Sequence, residues 1–142
     1  MRIFLAGIMQ GSRAEKGIAA QDYRTRLAQA LRRHLDGLEI VDPFALHPTS
    51  VEYSFEDGRQ TFLALSEEAG RCDVVIAYLP EASMGTAIEI WEAYRNRRTI
   101  YTISPLRENW VIKFLSTRVF AELDQFVDFV ASGEFEREVA PL

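Results

Sequence analysis

The sequence predicts a single α/β domain, Rossmann-like or flavodoxin-like, with a parallel sheet of about five strands and helices on both faces. Two observations carry that expectation. Short unbroken apolar runs alternate with stretches of helical periodicity along the chain, and such runs are strands covered on both faces. Each run is also closed by Gly, Pro or Asp before the next helical pattern opens, which is the punctuation of right-handed βα crossovers. The 142 residues suit one domain spanning 1–142 without repeat or linker, and 48% hydrophobic against 26% charged residues excludes a disordered chain.

Ile3-Phe4-Leu5-Ala6 is the first strand and ends at Gly7. The loop Gly7-Ile8-Met9-Gln10-Gly11-Ser12-Arg13 follows, with two glycines four apart that allow close backbone approach to a ligand. Helical periodicity runs from Ala19 to Leu35, where Tyr23, Leu27, Leu31 and Leu35 recur every four residues. Arg24, Arg26, Arg32 and Arg33 lie mostly off that stripe and are expected on a solvated face. Leu38–Val41 is a second strand closed by Asp42-Pro43, where Asp42 is either a turn former or a ligand contact. Phe44 to Gly58, interrupted by Pro48, Thr49 and Ser50, is expected to be a long functional loop, with His47 and Tyr53 as candidate ligand contacts.

A helix over Thr61–Arg71 points Phe62, Leu65 and Ala69 inward and Glu67 and Glu68 outward. The strand Asp73–Leu79 precedes a helix over Met84–Arg97, and Thr99–Ile103 is the fourth strand. A helix over Asn109–Ser116 directs Trp110, Phe114 and Leu115 inward, and Phe120, Leu123, Phe126, Val127 and Val130 mark a last amphipathic helix. The tail from Glu134 is acidic and polar until Val139. With the first and third strands adjacent at the switch point, the loops after them face one another across one pocket.

A net charge of −5 disfavours a nucleic-acid polymer as partner, while helix amides still accommodate a small phosphorylated ligand. Cys72 is the single cysteine, so neither a disulfide framework nor metal-ligand spacing is expected, and no cofactor motif stands out. The chain starts directly on a strand and has no apolar run near the ~20 residues that span a bilayer. A soluble cytoplasmic protein without membrane contact is the expectation.

The chemistry converges on Ala82-Ser83-Met84-Gly85-Thr86-Ala87-Ile88-Glu89-Ile90, directly after the third strand. Ser83 and the free amides of Met84, Gly85 and Thr86 make an anion cradle at a helix start, with Ser83 equally suited to capping that helix. Glu89 follows among Ala87, Ile88 and Ile90, a partly enclosed carboxylate suited to nucleophilic attack or general-base work. Gly-Lys-Ser/Thr, GxGxxG, GxSxG and HExxH motifs are absent, so P-loop NTPases, NAD-type oxidoreductases and α/β-hydrolases lose ground.

Three blocks, Phe4-Leu5-Ala6-Gly7-x-x-Gln10-Gly11, Cys72-Asp73-Val74-Val75-Ile76-Ala77 and Ser83-Met84-Gly85-Thr86-Ala87-Ile88-Glu89, resemble the nucleoside 2-deoxyribosyltransferase family. Within it they are most similar to the 2'-deoxynucleoside 5'-monophosphate N-hydrolases and CMP N-glycosidases. The resemblance spans roughly Arg2 to Ile103. It implies a dimeric or larger flavodoxin-like enzyme that cleaves an N-glycosidic bond of a nucleoside or nucleotide. Glu89 aligns with the family's nucleophile, which attacks C1' to form a glycosyl ester. Ser83 stands where the transferases carry an aspartate, which favours a 5'-monophosphate over a free nucleoside. Gly7, Gln10 and Gly11 align with the loop contacting sugar, base or phosphate. The family's second acid maps to Leu65, leaving Glu67 or Glu68 to serve through a register shift, or no acid at all. Asn109 and Lys113 lie on the helix that family members lend to a neighbouring subunit, where Lys113 would complement a phosphate.

The leading expectation is therefore an N-glycosidase acting on a nucleoside 5'-monophosphate. Base exchange by a deoxyribosyltransferase and non-catalytic nucleotide sensing are the alternatives.

Overall fold

A computed structural model describes residues 1–9 and 21–140, so the expectations for Gln10 and Gly11 lie outside the described residues. Five strands, β1 (Arg2–Gly7), β2 (Glu39–Val41), β3 (Val74–Tyr78), β4 (Thr99–Ile103) and β5 (Arg118–Phe120), form one sheet in the order β2-β1-β3-β4-β5. Every neighbouring pair is parallel. The order reverses between β1 and β3, where Gly7 pairs with Tyr78. Their carboxyl ends therefore open into one crevice, as expected at a topological switch point.

Side-chain alternation along the strands divides the core in two. Ile3, Leu5, Val74 and Ile76 face α1 (Asp22–His34), α6 (Leu123–Ala131) and α7 (Glu134–Val139). Phe4, Ala6, Val75 and Ala77 face α3 (Phe55–Arg71), α4 (Met84–Arg95) and α5 (Trp110–Leu115). Cys72 sits wholly within the second layer, where burial pushes its thiol up to about 11. Among the described residues no helix is long and apolar enough to cross a membrane.

The chain departs from the sequence expectation at four places. The long loop is largely structured: α2 (Pro43–Leu46) and a 3-10 turn at Ser50–Glu52 occupy it, and α3 starts at Phe55 rather than Thr61. The early start follows from capping, since Ser54 Oγ accepts the Asp57 amide and Glu56 and Asp57 fill the first turn. Trp110 and Phe114 point outward, 78% and 62% exposed, while Ile112 is the α5 residue that is buried. Phe120, expected in the last helix, instead ends the fifth strand, Arg118–Phe120, and that helix starts at Leu123. Finally, the tail forms α7, held by wholly buried Phe135 and by Tyr101 Oη donating to Glu138 at 2.9 Å.

Candidate active site

The carboxyl end of β1, the segment from α2 to α3 and the start of α4 line a cavity of about 510 Å3. That volume suits a nucleotide-sized ligand. Of the residues singled out in the sequence, Gly7, His47, Tyr53, Ser83, Met84, Gly85 and Glu89 line it together. Thr86, Met9, Thr61, Phe62 and Leu65 complete much of the wall.

Ser83 caps α4: its Oγ accepts the Thr86 amide at 3.3 Å and the Thr86 hydroxyl at 3.1 Å. With both bonds accepted, the Ser83 hydroxyl proton is left to donate into the cavity. The amides of Met84 and Gly85 find no acceptor among the described residues, as the first turn of a helix dictates. A side chain added at Gly85 would meet nothing within 4 Å, so this glycine leaves open space at the cradle. Gly7 serves differently. A Cβ there would lie 2.1 Å from Tyr23 Oη, so its bare Cα makes room for a tyrosine that stacks on Tyr78 with centroids 4.4 Å apart.

Glu89 is half-buried on the cavity wall, and it is the only carboxylate lining the cavity among the described residues. Burial pushes its carboxyl up to about 8, and the positive charge of Arg24 opposes that rise. Because the folded value stands above the ordinary 4.5, the folded protein binds the extra proton and stability falls as pH rises from about 4.5 to about 8. Glu89→Gln removes that dependence. Thermal melts should show the variant more stable by about 2–4 kcal/mol at pH 8.5, discounting for partial exposure, and little different at pH 4. Equal melting temperatures at pH 8.5 would show that the carboxyl is not held in an unfavourable place.

Arg24 is the site residue that periodicity misassigned. It is 2% exposed instead of solvated. Its Nη1 donates to Leu5 O at 2.8 Å and to Asp42 Oδ1 at 3.1 Å, its Nη2 to Gly7 O at 3.3 Å, and its Nε to Gln21 Oε1 at 2.6 Å. The guanidinium thus ties α1 to the end of β1 and to the β2 junction beneath the cavity. A signal was present in the spacing, because Arg24, Leu27 and Leu31 are related by i, i+3 and i+7 and so share a buried face.

Asp42, Asn109 and Lys113 lie outside this chain's cavity, the last two on the helix expected to serve a neighbouring subunit's site. Asp42 does not line the cavity; it caps α2 through the amides of Phe44 and Ala45 and pairs with Arg24. Asn109 caps α5 through the Val111 amide, and Lys113 pairs with Glu108 at 2.9 Å on the outer surface. The register-shift acids are absent from the cavity as well. Glu67 pairs with Arg71 on the exposed side of α3, and Glu68 pairs with Arg2. The α3 residues that reach the cavity are Gly58, Thr61, Phe62 and Leu65, so Leu65 occupies the acid's expected place.

No protein-family model and no curated protein matches the chain. Solved structures do. One is a 2-deoxyribosyltransferase from the psychrotolerant bacterium Bacillus psychrosaccharolyticus, 21% identical, aligned over 90% of this chain and 91% of that one with a TM-score of 0.67. Another is a conserved protein from Enterococcus faecalis V583, 17% identical over 92% of this chain and 97% of that one, with a TM-score of 0.66. At these identities the likeness is one of fold: the chain has the flavodoxin-like α/β architecture of that transferase along nearly its whole length.

Proposed function

We propose that the protein is an N-glycosidase that cleaves the base–sugar bond of a nucleoside 5'-monophosphate through a covalent glycosyl-Glu89 intermediate. The observation that carries this reading is the position of Glu89 as the lone carboxylate, among the described residues, in a nucleotide-sized cavity also lined by Ser83, Met84 and Gly85 at the start of α4, where the Met84 and Gly85 amides have no acceptor among the described residues. In this reading the Met84 and Gly85 amides and the Ser83 hydroxyl hold the phosphate or sugar, where a helix N-terminus and the absence of an acid at position 83 favour an anion. Glu89 then attacks C1' as the base departs. A raised carboxyl suits a nucleophile whose charge is meant to meet an electron-poor carbon in a place that water does not shield.

The fold shared with a 2-deoxyribosyltransferase supports a second reading, in which an acceptor base rather than water resolves the intermediate. Incubating the protein with ribo- and deoxyribonucleotides and nucleosides, with and without a second base, separates the two by chromatography. Free base without exchange supports the hydrolase, and exchange supports the transferase. Binding without either product supports a nucleotide sensor, the reading motivated by Leu65.

A second copy of the chain is the proposed partner. Trp91 and Tyr94 of α4 stack with centroids 6.0 Å apart, and Trp110 and Phe114 of the adjoining α5 lie 6.2 Å apart, all about half exposed or more. Met84, 86% exposed, carries this face to the cavity rim, so a copy packed there would wall the cavity. Trp91→Glu with Phe114→Glu should convert a dimer to monomer in analytical ultracentrifugation. An unmodified protein that sediments as a monomer at high micromolar concentration would rule the pairing out.

A further inference from the structure

A glycosidase that forms a glycosyl ester also needs a group that protonates the departing base and then activates water. The cavity offers no second carboxylate among the described residues, and α3 presents Leu65 and Phe62 where one would help. It does offer an imidazole. His47 ends α2 and Tyr53 follows the 3-10 turn, and that short turn folds the two side chains together. His47 Nδ1 lies 2.8 Å from Tyr53 Oη, with the rings at 86°, and both residues line the same cavity as Glu89. The bond at Nδ1 leaves Nε2 without a partner among the described residues. A histidine with one nitrogen fixed by a hydrogen bond and the other free in a cavity is arranged for directed proton transfer.

We propose that His47 is the acid/base of the reaction and that Tyr53 is its positioning residue, a proposal that rests on the glycosidase reading of Glu89. In the first step a Glu89 carboxylate oxygen bonds to C1' and the C1'–N bond breaks. Its electron pair leaves with the base, which takes the proton from His47 Nε2. The Nδ1–H donates to Tyr53 Oη throughout and keeps the ring aimed. In the second step water bonds to C1', its proton returns to Nε2, and the ester electron pair returns to the Glu89 carboxylate. Charge and protons are restored after each turnover, with no co-reactant besides water.

The test compares two substrates: the 5'-mononucleotide that the unmodified protein turns over best, and the 4-nitrophenyl glycoside 5-phosphate of the same sugar. Nitrophenolate leaves without a proton. With His47→Gln, base release from the mononucleotide should fall by about 10²–10⁴-fold. The same variant should still release a burst of about one equivalent of nitrophenolate from the glycoside, then stall as the unresolved ester, visible in the intact-protein mass. Tyr53→Phe should show the same split at a smaller size, about 5–20-fold, because it removes the aim and not the acid. If His47→Gln slows both substrates equally, or neither, the proton-transfer role is overturned while the glycosidase reading stands. If the unmodified protein releases neither base nor nitrophenolate, the glycosidase reading itself fails and the role of His47 falls with it.

Discussion

Glu89→Gln is expected to abolish base release, on the order of a 10⁴-fold loss in kcat, while nucleotide binding stays within a few-fold of the unmodified protein. The amide is nearly isosteric and cannot form the ester. The Ser83, Met84 and Gly85 cradle that would hold the ligand lies a turn away and keeps its geometry. The pH dependence supplies a second readout. The reactive form is the carboxylate, and burial pushes its titration up to about 8, so kcat/KM for the 4-nitrophenyl glycoside 5-phosphate, whose leaving group needs no proton, should rise with pH along a limb centred near 8. Calorimetric binding of a mononucleotide, chromatographic assay of the free base and the pH profile of nitrophenolate release check both. Unchanged turnover in the variant would remove Glu89 from the chemistry. A limb centred near 4.5 would instead mean that the carboxyl is solvated when substrate arrives.

Arg24→Met is expected to cost about 2–4 kcal/mol of stability, and to lower the melting temperature by roughly 10 °C, although the site chemistry does not name this residue. The side chain fits the space but takes the guanidinium donor from Leu5 O and Gly7 O and leaves the Asp42 carboxylate with backbone amides alone. Arg24→Lys should recover only part of the loss, because an ammonium cannot reproduce a fork that reaches two carbonyls and a carboxylate at once. The Glu89 carboxyl also loses the one positive charge that opposes its burial, so the kcat/KM limb of a folded Arg24→Met protein should move above 8. Chemical denaturation and the pH profile report the two effects separately. A variant as stable as the parent would make the buried guanidinium replaceable and its four bonds incidental.

The two predictions differ in how visible their residues were. Glu89 stood out because a carboxylate among Ala87, Ile88 and Ile90, just after a strand and a Ser-capped turn, breaks a local pattern. Arg24 sits in a helix with three other arginines; its spacing to Leu27 and Leu31 marks the buried face, but its partner Asp42, eighteen residues away, was not legible. His47 and Tyr53 were visible as loop residues; their contact was not, since it depends on a 3-10 turn between them.

By itself the sequence determined the alternating strands and helices and the junction at Ser83 to Glu89. These depend on periodicity, capping and punctuation, which act between residues close in the chain. Only the tertiary structure decided which polar groups meet and which apolar ones stay uncovered. It buried Arg24 against Asp42 and left Trp110 and Phe114 facing outward. The physical reason is the same in each case. A helix has several faces of similar composition, and the packing partner that selects one of them is supplied by an element far away in sequence.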